Sequence, residues 1–214
     1  MDNDTHLHEA HLENIKYCSA FLGTLLCRKP NDPGIAQLLL EIGQLDSVDA
    51  WPYGEQSIVG EAFASMKEAL AGPDAMDALT ADYQQLFIGP FALKAPPWGS
   101  AYLDFERVLF GSSTLELREW MRKNGITTEV PSSEPEDHIG YMLLLLGFLA
   151  DNRPDLIEEY LAGHLTTWAH RFCELLKDGA KTSFYRGLAL LTDTTLRAIA
   201  ESLSIVTPTR RLYR

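Results

Sequence analysis

The sequence predicts an all-α protein, a single-domain helical bundle interrupted by one long aromatic and proline-rich loop at about residues 89–104. Three observations lead there. Apolar residues recur at helical spacing along most of the 214 residues, and no stretch sustains the alternation of a half-buried strand. Proline and glycine gather in short clusters between those periodic stretches. A hydrophobic fraction of 46% with 22% charged residues supplies enough apolar side chains for a sizeable core.

The elements follow in order. Leu12, Ile15, Phe21, Leu22, Leu25 and Leu26 mark the inward stripe of a first helix, about Glu9 to Arg28, with residues 1–8 read as a flexible N-terminal extension. Lys29-Pro30-Asn31-Asp32-Pro33-Gly34 stops it with turn chemistry, and a second helix runs to about Leu45. A loop from Asp46 to Glu55 contains Trp51-Pro52-Tyr53-Gly54. Helices are expected at about Gln56–Ala71 and Pro73–Ile88, the latter with proline where a helix start tolerates its missing N–H. After the long loop a helix resumes near Ser113, with Leu115, Leu117, Trp120 and Met121 on one stripe, and ends at Asn124-Gly125. Ser133 and Glu136 have capping-box spacing and open an apolar helix from Glu134 to about Ala150. Two more helical stretches follow Pro154, one to about Leu176 and one from Ser183 to Leu203.

Composition excludes several classes. A net charge of −12 argues against a nucleic-acid partner and favours neutral or basic ones. Cys18, Cys27 and Cys173 are odd in number and lack metal-ligand spacing, which reads as reduced thiols in a cytoplasmic protein. Met1-Asp2-Asn3-Asp4 is acidic where an export signal would be basic. The most apolar run, Ile139 to Ala150, falls short of the roughly 20 residues a membrane span needs, so no integral membrane segment is expected.

Two regions carry binding chemistry. Tyr83 to Phe110 holds seven of the chain's 21 aromatics, several at loop positions, where they either staple the loop to the core or line a groove. Pro96-Pro97-Trp98-Gly99 favours a stiff, shallow wall. Glu134, Glu136, Asp137 and His138 crowd the predicted start of the Ile139 helix. They either complement the helix dipole or form an acidic mouth for a cation, with His138 as a hydrogen-bonding anchor. An imidazole among such acids would favour its charged form and make binding change between about pH 6 and 8.

Catalytic signatures are sparse: there is no H-E-x-x-H, G-x-S-x-G, Walker loop or C-x-x-C. Asp137-His138 alone allows a small helical metal- or nucleotide-dependent hydrolase as an alternative. His6, His8 and His11 form an N-terminal H-x-H-x-x-H run, read as no physiological metal site, and His164 with Trp168 reads as core.

Leu86-Phe87-Ile88-Gly89-Pro90, Pro96-Pro97-Trp98-Gly99-Ser100, Val108-Leu109-Phe110-Gly111-Ser112-Ser113-Thr114-Leu115 and Glu134-Pro135-Glu136-Asp137-His138 occur in that order. Gly163-His164-Leu165, Trp168, Phe172 and Phe184-Tyr185 follow. From about Asp82 onward this pattern resembles the redox-enzyme maturation chaperones of the DmsD/TorD family, and their DmsD branch most. The resemblance implies a cytoplasmic, non-enzymatic, cofactor-free all-helical chaperone. Its partner would be the twin-arginine signal peptide of a molybdopterin-dependent, DMSO reductase-type catalytic subunit, held back from export until cofactor loading. The Tat translocase and cofactor-insertion proteins are further partners it implies. Matched by motif, the leader-binding residues would be Tyr83, Leu86, Phe87, Phe91, Pro97, Trp98, Ser100, Glu134, Asp137 and His138. Phe91 stands where the DmsD branch carries tryptophan, and the histidine-rich start has no counterpart in the pattern.

Overall fold

The computed structural model describes residues 2–106, 109–127 and 134–214, with side chains from Glu9 onward. Its helices are α1 (Asp2–Cys27), α2 (Ile35–Gln44), α3 (Gln56–Leu70), α4 (Ala75–Tyr83), α5 (Ser100–Leu103), α6 (Ser112–Lys123), α7 (Ile139–Asn152), α8 (Ile157–Tyr160), α9 (Ala169–Gly179) and α10 (Ser183–Ser202). The fold is all-α. Among the described residues the one extended pairing is a single antiparallel bridge between Trp98 and His138. No helix among them is long and apolar enough to cross a membrane.

Most boundaries fall within a few residues of expectation, and the departures have local causes. Helix α1 reaches back to Asp2, beyond the expected start at Glu9. Helix α4 ends at Tyr83 and widens into a π turn over Gln84–Ile88. Gly89, at φ +102°, closes that turn by donating its N–H to Gln84 O, a conformation L side chains rarely adopt. The predicted helix from Pro154 to Leu176 is broken into a 3₁₀ turn, α8, a π turn at Leu161–Leu165 and α9. Helix α7 begins at Ile139 rather than Glu134, so the acid-rich stretch before it is non-helical. Ser133 lies outside the described residues, and the capping role falls to His138.

The chain is built of two compact helical units. The first comprises Met1–Cys27, Pro97–Ala169 and Leu203–Arg214. Its spine is α1 against α7, held close by glycine. A Cβ on Gly140 would sit 2.6 Å from Cys27 Cβ, and one on Gly23 would sit 2.7 Å from Gly140 O. Ile15, Leu22, Leu26, Leu143 and Leu146 fill that interface at essentially no exposure. Tyr102 stacks on the buried Trp168 with ring centres 5.2 Å apart.

The second unit comprises Arg28–Pro96 and His170–Ser202. Here α3 packs on α10, where a Cβ on Gly187 would collide with Ala62 O, and α2 covers α3. Val59, Phe63, Met66, Leu188, Leu191 and Ile199 form its core. Asp82, almost fully buried, ties the turn before α10 to α4 by accepting the N–H groups of Lys181 and Thr182 and the Thr182 hydroxyl.

Candidate functional site

In the first unit the chain doubles back on itself at two short segments far apart in sequence. Pro97 has no N–H to give, so Pro97-Trp98 stays extended and offers a carbonyl instead. Ile139 N–H donates to Pro97 O at 2.7 Å, and Gly99 N–H donates to Asp137 O at 3.0 Å. The Asp137 carboxylate adds a third tie, with Oδ2 accepting the Ser100 N–H at 2.6 Å. This clasp fixes the backbone on both sides of Trp98 and His138.

His138 is 6% exposed and caps α7, its Nδ1 accepting the Gly140 N–H at 3.1 Å, which leaves the ring proton on Nε2. Its ring meets Trp98 edge-on at 6.2 Å and Tyr141 at 5.2 Å. Burial pushes its pKa down to about 3. The expectation of a charged, pH-responsive imidazole is therefore overturned, because the ring faces aromatic carbon and a backbone donor.

The three acids part company. Asp137 is 3% exposed, and burial raises its carboxyl above the usual range against the Ser100 N–H and the Thr114 and Ser100 hydroxyls beside it. Glu136 is paired with Arg118 at 2.6 Å, and that guanidinium also lies 4.9 Å over the Phe110 ring. Glu134 is half-exposed and accepts the Trp98 indole N–H at 2.6 Å. Burial raises its pKa, the indole N–H opposes that, and the charge of Asp137 adds to it. No cation among the described residues pairs with Glu134. Of the three acids expected to form a mouth, Asp137 is buried and Glu136 is paired with Arg118, while Glu134 stays partly exposed beside the Trp98 indole.

The remaining expected residues lie in the second unit. Tyr83, Leu86 and Phe87 are buried, and Tyr83 and Phe87 stack with Tyr185 in a ring cluster at 4.9–6.2 Å. Phe91 is 82% exposed and, with Leu86, Pro90 and Gly179, walls an apolar recess of about 440 Å³. Sequence reasoning missed Arg118, which neutralises Glu136 from 18 residues away, and Tyr141, whose ring completes the Trp98–His138 stack. Tyr141 had a signal: it lies one helical turn on from His138. Arg118 had none. Among the described residues no group of three His, Cys, Asp or Glu could hold a metal ion, and the side chains of His6 and His8 lie outside them.

The nitrate reductase delta subunit family model matches residues 54–174, more than half of the chain. The Tat proofreading chaperone DmsD of Salmonella typhimurium is 40% identical over 194 residues, covering 90% of this chain and 92% of its own. The chain belongs to this family, among its DmsD/TorD chaperones. Two further relatives share less identity. Chaperone protein TorD of Aliivibrio fischeri is 32% identical over 136 residues, covering 58% of this chain and 63% of its own. Chaperone protein YcdY of Escherichia coli is 27% identical over 186 residues, covering 85% and 91%. The clasp, with its Trp98 and Glu134, falls inside the span that the family model matches.

Proposed function

We propose that this DmsD/TorD-family chaperone binds the twin-arginine signal peptide of a molybdoenzyme catalytic subunit of the DMSO reductase type, and delays its export until the cofactor is in place. The observation that carries the site is the Trp98–Glu134 pair. A planar guanidinium stacks on an indole face and pairs bidentately with a carboxylate, and here the two are already locked together. Glu134 is held partly out of water beside the charge of Asp137, so an arriving cation relieves a cost already present in the free protein. The clasp fixes this geometry in advance, which lowers the ordering entropy of binding.

Taken by itself, the second unit carries the Phe91 recess, an apolar wall of the kind that binds apolar peptide segments. Tyr83 and Phe87 act from beneath by stiffening the π turn that presents Leu86 and Phe91. Asp137, His138, Pro97 and Ser100 position Trp98 without touching peptide. The function is binding without catalysis, carried out in the cytoplasm ahead of the Tat translocase and beside the proteins that insert the cofactor.

The hydrolase alternative finds no support. His138 Nδ1 is occupied by the Gly140 N–H and Asp137 by the Ser100 N–H, so the two side chains serve the backbone and not each other. Calorimetric titration with a synthetic twin-arginine peptide of a DMSO reductase catalytic subunit tests the reading. Trp98→Ala and Glu134→Gln should each weaken binding about tenfold or more with the helical fold retained, and Glu134→Gln with unfolding temperature unchanged, as for residues at the centre of an interface. Wild-type affinity in both variants would remove this surface from the reading.

A further inference from the structure

A second feature of the first unit bears on the same surface, and its interpretation rests on the leader-binding reading above. Residues 209–214 read Thr-Arg-Arg-Leu-Tyr-Arg, two adjacent arginines followed by apolar side chains, within a chain of net charge −12. A cationic pair and then two apolar residues, closed by Arg214, is a shortened form of the order of chemistry in a twin-arginine leader. The segment is docked. Arg210 Nη1 pairs with Glu116 Oε2 at 3.0 Å, Tyr213 N–H donates to Tyr102 O at 2.8 Å, and Thr207 and Thr166 share a hydroxyl hydrogen bond at 2.8 Å. The Tyr213 ring meets Phe105 edge-on at 5.6 Å.

Its landing place adjoins the clasp. Tyr102 and Phe105 follow directly on Pro97–Ser100. Arg210 and Glu116 share the lining of one small cavity with Gly99, Asp137 and His164, and its volume of about 10 Å³ admits a single water. The charge of Arg210 contributes, after burial, to the lowered pKa of His164.

We infer that residues 207–214 occupy, as an internal pseudo-leader, a place where a leader's arginine docks, with Glu116 as an arginine-reading residue at the cavity it shares with Gly99 and Asp137 of the clasp. A bound leader displaces the segment. The docking contacts suit displacement. Arg210 and Glu116 are 38% and 52% exposed, and ion pairs so wetted contribute little. Being tethered, the segment competes at an effective concentration set by its own chain, in the millimolar range for short links. A segment docked nine times in ten lowers apparent leader affinity about tenfold. Weak or unrelated basic peptides are thereby screened out.

The test compares the wild-type chain with an Arg210→Ala/Arg211→Ala variant, using the synthetic twin-arginine peptide, calorimetry and hydrogen exchange over residues 206–214. The variant should bind the peptide roughly three- to tenfold more tightly. In the wild type, saturating peptide should speed exchange at the Tyr213 amide, which is now held by Tyr102 O. Glu116→Gln should speed exchange there without peptide and still weaken peptide binding, because it removes the anchor and the reader together. Peptide binding equal in wild type and double variant, with Tyr213 exchange unmoved, overturns the inference and leaves the leader-binding reading standing. Absence of peptide binding by either form overturns both.

Discussion

At the scale of single residues, the buried carboxylates and the exposed one have different work. Asp82, Asp104 and Asp137 are each under one-tenth exposed, and each accepts at least one backbone N–H that would otherwise be unpaired. Asp137→Ala strips the clasp of its side-chain tie and should cost about 2–3 kcal/mol by denaturant unfolding. Asp137→Asn retains an acceptor for Ser100 N–H and should stay within about 1 kcal/mol of wild type. Glu134→Gln should leave stability unaltered and act on peptide affinity alone, so the pair separates positioning from contact. His138 supplies a pH signature. Its folded pKa of about 3 lies below its unfolded value near 6.5, so the folded state refuses a proton that the unfolded chain accepts. Its contribution is complete above about pH 6.5 and is lost as pH falls toward about 3, at up to roughly 1.4 kcal/mol per pH unit. His138→Asn keeps a capping acceptor and should flatten that part of a stability-versus-pH curve. An unchanged slope would mean that another group carries it.

At the scale of elements, periodicity located the helices and local chemistry their ends, but only where cause and effect lie close in sequence. Lys29 to Gly34 punctuates α1 as predicted, because proline and glycine act on their own backbone. The start of α7 was misplaced, since the cap is His138 and its extended conformation is imposed by pairing with Trp98, 40 residues earlier. The π turn after α4 and the breaks around α8 depend on what packs there, which a residue pattern does not encode. The candidate site divides the same way. Trp98 and Glu134 were visible as residue types in unusual places, whereas the burial of Asp137 and the neutralisation of Glu136 by Arg118 were not. Glycine gives an element-scale prediction. Gly140→Ala places a methyl 2.6 Å from Cys27 Cβ and should destabilise by about 1–3 kcal/mol through separation of α1 from α7. Gly60→Ala in α3 meets nothing within 4 Å and should stabilise by up to about 1 kcal/mol. Equal responses in thermal unfolding would show that helix propensity, not close approach, decides both.

At the scale of the whole molecule, the relevant quantity is charge. A chain of net −12 surrounds itself with a potential that attracts a basic peptide before any contact forms. Most of its acids are remote from Trp98 in sequence and make no specific bond to a leader, so their effect should appear in the rate of encounter. On the proposed reading, contacts at Trp98 and Glu134 act after encounter and should govern how long the peptide stays. Raising ionic strength from about 0.01 M to about 0.15 M shortens the Debye length from about 30 Å to about 8 Å. The association rate of a twin-arginine peptide should then fall roughly tenfold, while its dissociation rate shifts by less than about twofold. Trp98→Ala should do the reverse, with dissociation faster by about tenfold and the salt dependence of association retained. Stopped-flow measurement across that salt range, on wild type and Trp98→Ala, separates the two contributions. A salt-independent association rate would mean that the net charge serves solubility and takes no part in capturing the leader.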